Sequence, residues 1–414
     1  MFLAAASLAA AACGGGPAAQ SAPSGSGPTS SPPLSTPFAS DLQFLNAHTH
    51  IVLLKDADGA QVAVAPVYQG RVMTSTTGGS DAPSFGWIGR AAVESGRHQS
   101  HMNVFGGEDR FWLGPEGGQF ALYFRPGEPF DLDHWQVPPA FDWDAWDVAT
   151  QSETEVRFHK HVSLVNYART PLDIDVERTV RMVSAEQAAA SLGPLGPGVR
   201  MVAFESENVV LNGGKATWEQ ASGLVSVWIL GQFNPAPTTT IVIPYEAGEV
   251  ASLGPVVNDA YFGKVPRNRL SVGNRAIFFR GDGQYRSKIG LSPARALGIA
   301  GSYDSAAHVL TIVQFTRPDP VRPYVNSMWE IQKQPFKGDA INSYNDGPPA
   351  PGKPPLGPFY ELETSSPGLA LAAGERYSHI HRTFHLVGPE AELDRIARSV
   401  LTVGLADIAK AFGR

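Results

Sequence analysis

From Ile51 to Phe315 the chain is divided by glycine and proline into short runs in which apolar and polar residues alternate. With 43 glycines and 34 prolines in 414 residues, few stretches are long enough for a helix, so antiparallel strands joined by tight turns are the expected solution. The runs at 51–54 and 61–65 flank Asp56-Ala57-Asp58-Gly59, a strong hairpin signal, and 71–76 follows as a third strand. Further strands are expected at 120–124, 155–166, 172–183, 202–211, 224–230, 239–245, 275–279, 288–291, 299–303 and 309–315. A short helical turn is expected at 184–191. The one long helical pattern is the last: Leu393, Ile396, Val400, Leu401, Leu405, Ile408 and Phe412 recur at helical spacing between 390 and 412. No solenoid-length repeat occurs, and a long strand-rich chain without one reads as a large sandwich.

The beginning of the chain has a different composition. An apolar, alanine-rich stretch runs to Cys13, the sole cysteine, and Gly14-Gly15-Gly16 follows. This reads as a lipoprotein signal over 1–13, with a lipid on Cys13 anchoring the mature chain at a bacterial cell envelope, periplasmic or on the outer membrane. Residues 14–37 are a Gly/Ser/Pro linker, and 38–414 form a single domain. A lone cysteine leaves no disulfide, so the domain depends on its core, for which 43% hydrophobic residues suffice. The net charge of −7 without a basic block argues against nucleic acid and against membrane contact other than through Cys13.

Chemistry-bearing residues gather in the closing hairpin. If 359–367 and 371–385 are strands, Glu361 and Glu363 share one face, and His379, His381, Thr383 and His385 share another. Carboxylates and imidazoles in one pocket can exchange protons, and His-x-His with Glu361 or Glu363 could instead hold a metal. Earlier in the chain, Phe105-Gly106-Gly107-Glu108-Asp109-Arg110-Phe111-Trp112 continues through Glu116 to Gln119. Glycines allow close approach, Arg110 offers a donor fork, and Trp112 offers a face on which a pyranose can stack. His98 and His101 precede it on an expected helix over 93–103. The Asn342-Ser343-Tyr344-Asn345-Asp346-Gly347 segment enters a Pro/Gly loop that leads to Tyr360 and Glu361.

Glu363-Thr364, Pro367, Leu371, Gly374-Glu375 and Tyr377-Ser378-His379 together resemble the closing hairpin of aldose 1-epimerases. Pro66 to Val72 and the pair of strands around Thr170-Pro171 look like earlier parts of the same galactose mutarotase-like fold. The resemblance implies a large antiparallel β-supersandwich with a sugar-binding concave face and a C-terminal helix, and a catalytic base at Glu363. Glu177-Arg178 departs from the Asn-His that such epimerases carry. The folded part as a whole is similar to a bacterial family of unknown function marked by the 105–119 motif.

These readings give a carbohydrate-active protein with a saccharide partner and no cofactor, epimerase-like or glycan-cleaving. Glu363, His379 and His381 are the expected catalytic groups. Glu108, Asp109, Arg110, Trp112, His101, Asn345, Asp346, Tyr360 and Glu361 are expected to contact the ligand. The alternatives are a non-catalytic glycan-binding lipoprotein and a metal-dependent enzyme that uses His379 and His381.

Overall fold

A computed structural model describes residues 36–79 and 81–413. The expected signal, Cys13 and nearly all of the linker lie outside the described residues.

The alternating runs pair into three antiparallel sheets. The largest has ten strands, in the spatial order Leu270–Val272, Ala276–Arg280, Thr239–Pro244, Ile299–Asp304, Val309–Phe315, Arg376–Val387, Arg200–Asn212, Pro171–Met182, Glu155–Val165 and Asp147–Gln151. A five-stranded sheet orders Ser287–Leu291, Ile341–Asn345, Tyr360–Ser365, Ser226–Phe233 and Arg110–Gly114. Val52–Lys55, Gln61–Ala65 and Arg71–Thr76 form the third. The chain is therefore mainly β and antiparallel, with helix at its C-terminal end.

Period-two alternation assigns every strand two faces, and burial fixes which layer each face meets. The large sheet turns Ala203, Leu310, Ile312, Phe384 and Leu386 toward helix Glu390–Val400 and helix Leu405–Lys410, whose Leu393, Ile396, Leu405 and Ile408 complete that core. Its opposite face packs on the five-stranded sheet, where Ile241, Phe279 and Val313 meet Phe233, Ile289 and Leu362. The five-stranded sheet thus has one face in the interior, and its other face meets loops.

Three local expectations are corrected and one helix is new. The final helix is two helices, because Thr402 takes a positive φ of 65° before Gly404 starts the second. The 93–103 helix is instead Arg90–Ser95, ended by Gly96 in the left-handed region, so His98 and His101 do not share a helical face. Residues 120–124 form a turn-rich segment with no strand partner, although Ala121, Leu122, Tyr123 and Phe124 are all buried. Helix Phe38–His48 was not expected; it buries Phe38 and Leu45 against Ala63 and Met73. The 184–191 turn is a real helix, Ala185–Leu192, with a capping box between Ser184 and Gln187.

Candidate functional site

On the loop-covered face of the five-stranded sheet, register brings together charges from three of the five strands. Glu363 lies opposite Leu230, and Leu230 opposite Arg110; Glu361 lies opposite Gln232 and Tyr344, and Tyr344 opposite Lys288. Above them is a cavity of about 150 Å³. Its floor includes Arg110, Gln232, Lys288 and Glu361, and Trp112, Trp135, Trp228 and Trp329 supply aromatic walls. Trp112 stands edge-on to Trp228 at 5.5 Å, and Trp135 lies 5.8 Å from Trp329.

Two buried ion pairs organise the floor. Arg110 donates to Glu361 at 2.5 Å while its guanidinium lies 5.2 Å from the Trp112 ring centre. Glu363 is fully buried and accepts from Lys288 at 2.9 Å and from the Trp228 indole at 3.0 Å. Burial pushes the Glu361 carboxyl up to about 7; Arg110 opposes that rise and Glu363 adds to it. Burial also raises Glu116, with Lys288 opposing, and Glu116 lines the same cavity. Burial opposes the charge of Lys288, yet Glu363, Glu116 and Glu361 together hold the ammonium above its ordinary value.

Several polar atoms on this floor have no hydrogen-bond partner within the protein. Arg110 Nε, Trp112 Nε1 and Trp135 Nε1 are unpaired donors and Gln232 Oε1 is an unpaired acceptor, while Glu363 Oε1, also unpaired, belongs to a residue that does not line the cavity. Buried polar atoms are costly to leave alone, by about 1–3 kcal/mol each. A ligand whose hydroxyls both donate and accept would satisfy the set.

Of the expected ligand-contacting residues, Arg110, Trp112, Glu361 and Asp346 line this cavity. Asp346 accepts from the Tyr344 hydroxyl at 2.6 Å and from the Gly357 amide at 2.8 Å, which pins the Pro/Gly loop over the site. The others lie elsewhere. Glu108, which lies before the strand begins, is buried against His385 at 2.6 Å, and Asp109, one residue before Arg110, points to the opposite face and pairs with Arg178 at 2.7 Å. Tyr360 faces the interior and bonds Ser302 at 2.7 Å, and Asn345 braces the backbone of Gly283 and Tyr285. His101 is exposed and bonds the Trp135 carbonyl at 2.7 Å.

His379 and His381 belong to the ten-stranded sheet and meet the reverse face of the Glu363 strand. Thr364 Oγ1 lies 3.1 Å from His379 Nε2 and 2.9 Å from His381 Nδ1, and Thr364 points opposite to Glu363. Burial lowers His379 to about 3, with His381 adding to the shift. Burial likewise lowers His381 to about 4, against the pull of Asp109. Both are neutral interior groups separated from the cavity by the sheet itself, so neither can act as acid there. The same separation removes the alternative metal set, since the carboxylates and imidazoles lie on opposite sides of one strand. Among the described residues no group of three or more metal-ligating side chains is arranged to hold an ion. Arg178, where the Asn-His motif is replaced, is fully buried and ties Gly70, Asn208 and Asp109 together.

Sequence reasoning passed over Lys288, Trp228, Gln232 and Arg286. Trp228, Leu230 and Gln232 alternate along one strand, a visible pattern, and Lys288 is a charge at the head of an apolar run.

The fold is similar to a galactose mutarotase-like protein from Lactobacillus casei ATCC 334, at 12% identity and TM-score 0.45 over 81% of this chain and 100% of that one. It is also similar to the Slr1438 protein from Synechocystis sp. PCC 6803, at 13% identity and TM-score 0.48 over 82% of this chain and 96% of that one. The galactose mutarotase related enzyme from Lactobacillus acidophilus matches at 10% identity and TM-score 0.44, over 81% and 97%. No curated protein sequence matches the chain. The sequence fits the Family of unknown function (DUF6786) across residues 36–412, and the chain belongs to that family.

Proposed function

We propose that the protein binds a saccharide in the cavity above the five-stranded sheet and transfers protons there through Glu361. The observation that carries this is the set of unpaired polar atoms on Arg110, Trp112, Trp135 and Gln232, walled by indoles. A sugar matches it, since each hydroxyl both donates and accepts and the ring's apolar face stacks on tryptophan.

Glu361 is the better base than Glu363. It borders the cavity, and a carboxyl at about 7 changes protonation near neutral pH, whereas Glu363 is committed to Lys288 and Trp228. In a mutarotase-like cycle, Glu361 takes the anomeric hydroxyl proton as the ring C–O bond breaks. Glu116, also raised by burial, gives a proton to the ring oxygen, and ring closure on either face returns both protons. The position of Arg110 favours the ionised form of Glu361 and so makes the base available.

The test is incubation with a panel of free aldoses and short glycans, following anomer exchange and cleavage by NMR. Wild type should bind at least one sugar and turn it over. Glu361→Gln should keep binding and lose about 10²–10⁴-fold in rate, while Glu363→Gln should weaken binding as well. Binding without turnover in the wild type would leave a glycan-binding protein, and failure to bind any sugar would overturn the reading. The cell-envelope address and the lipid on Cys13 belong to the same proposal, supported by the alanine-rich stretch before Cys13 and the Gly/Ser/Pro stretch after it.

A further inference from the structure

The cavity has two chemistries in depth. Its floor is charged and contains the unpaired polar atoms, whereas its mouth is apolar. Leu132, Phe262 and Leu356 all line it, at 54%, 42% and 50% exposure. They come from three segments far apart in sequence: the turn after Phe130, the stretch beside Tyr261, and the Pro/Gly loop held by Asp346. Met102, Pro349 and Pro354 fill in between them.

Single exposed apolar residues are ordinary on any surface, and Val148, Val165, Val250 and Val272 are of that kind, since none of them lines this cavity. Three large ones converging on one opening are different. Each leaves in water an area whose covering would be favourable, and together they form a collar directly above a polar floor. The collar is also held in place. Phe262 carries the Arg286 guanidinium 3.8 Å from its ring centre and meets Tyr344 edge-on at 6.0 Å, and the loop bearing Leu356 is fastened through Gly357 to Asp346. A simple hydrophilic sugar seated on the floor would leave this collar wet.

We infer that the ligand is an amphiphilic glycoside: a sugar ring on the Arg110–Glu361 floor whose alkyl or aryl substituent leaves through the collar of Leu132, Phe262 and Leu356. The inference rests on the saccharide reading above and adds to it the class of aglycone; a glycoside has no anomeric hydroxyl, so the reaction on it is cleavage, in which Glu116 gives a proton to the glycosidic oxygen as its bond to the anomeric carbon breaks and Glu361 takes a proton from the water that attacks that carbon. A bound alkyl chain would cover the three collar side chains while the ring meets Arg110, Trp112 and Gln232.

The experiment is titration calorimetry of the full chain with methyl, hexyl and phenyl β-D-glycosides of glucose, galactose, mannose and N-acetylglucosamine, with hexanol as the chain lacking a sugar. For at least one sugar, the hexyl and phenyl glycosides should bind tenfold or more tighter than the methyl glycoside, with a more negative heat-capacity change. Leu132→Ser/Leu356→Ser should bring the hexyl-to-methyl affinity ratio to within about twofold of one, with the melting temperature unchanged because both side chains are half exposed. Equal affinity for methyl and hexyl glycosides would overturn the inference and leave the saccharide reading intact. Hexanol binding as tightly as the hexyl glycosides, or no glycoside binding at all, would also overturn the inference, and the saccharide reading itself falls only if the free aldoses fail to bind as well.

Discussion

Glu361 sits under opposing influences. Burial favours its neutral form, Arg110 at 2.5 Å favours the ionised form, and Glu363 two residues on favours the neutral form again, with about 7 as the outcome. A carboxyl raised in the folded state holds a proton that the unfolded chain has already released. Its contribution to stability is therefore complete below the ordinary carboxyl range and is lost as pH rises through about 7. Between pH 5 and pH 8 wild type should lose stability relative to Glu361→Gln, by up to about 3 kcal/mol, in urea unfolding curves. Parallel curves would contradict the raised carboxyl. Alternation along 360–365 made it legible that Glu361 and Glu363 share a face. That Glu361 titrates near 7 was not legible, because the value rests on burial and on Arg110, 251 residues away in sequence.

Among elements, the five-stranded sheet acts as a charge-sorting layer. Lys288 reaches Glu363 across an intervening strand, and Trp228 reaches it from the strand on the other side, so one buried carboxylate ties together three strands. Removing only the cation strands a charge in the interior. Lys288→Met should cost about 3–5 kcal/mol, while Lys288→Met/Glu363→Met should recover most of that loss, because an unpaired buried charge costs more than an absent pair. Chemical denaturation of both variants measures the difference, and equal losses in the two would refute it. The His379–His381 face shows the same sorting from the reverse side. Its strand was readable from period two, but nothing in that period says that the face is sealed against Thr364 instead of opening on a pocket.

For the molecule as a whole, layering decides what can meet what. Helices cover one face of the ten-stranded sheet, the five-stranded sheet covers the other, and the cavity is left to the five-stranded sheet's far face. Lipid attachment belongs to this scale too, since it would fix the whole domain to a membrane. Expressed in a bacterial host, the chain should incorporate an alkyne-tagged fatty acid, and Cys13→Ala should abolish the label and release the protein from the membrane fraction; an unlabelled wild type would defeat the proposal. By itself the sequence determined most of the strands and their two faces, most turns and the helical end, because backbone sterics and apolar period act over a few residues; the strands at 110–114, 147–151, 270–272 and 341–345 were not among those it showed. It also singled out Arg110, Trp112, Glu361 and Asp346, all of which border the cavity. Only the tertiary structure decided that Glu108, Asp109, His379 and His381 turn inward and that Lys288 and Trp228 join the site. Burial and ion pairing are set by strands brought together from distant parts of the chain, and no local pattern encodes which faces will meet.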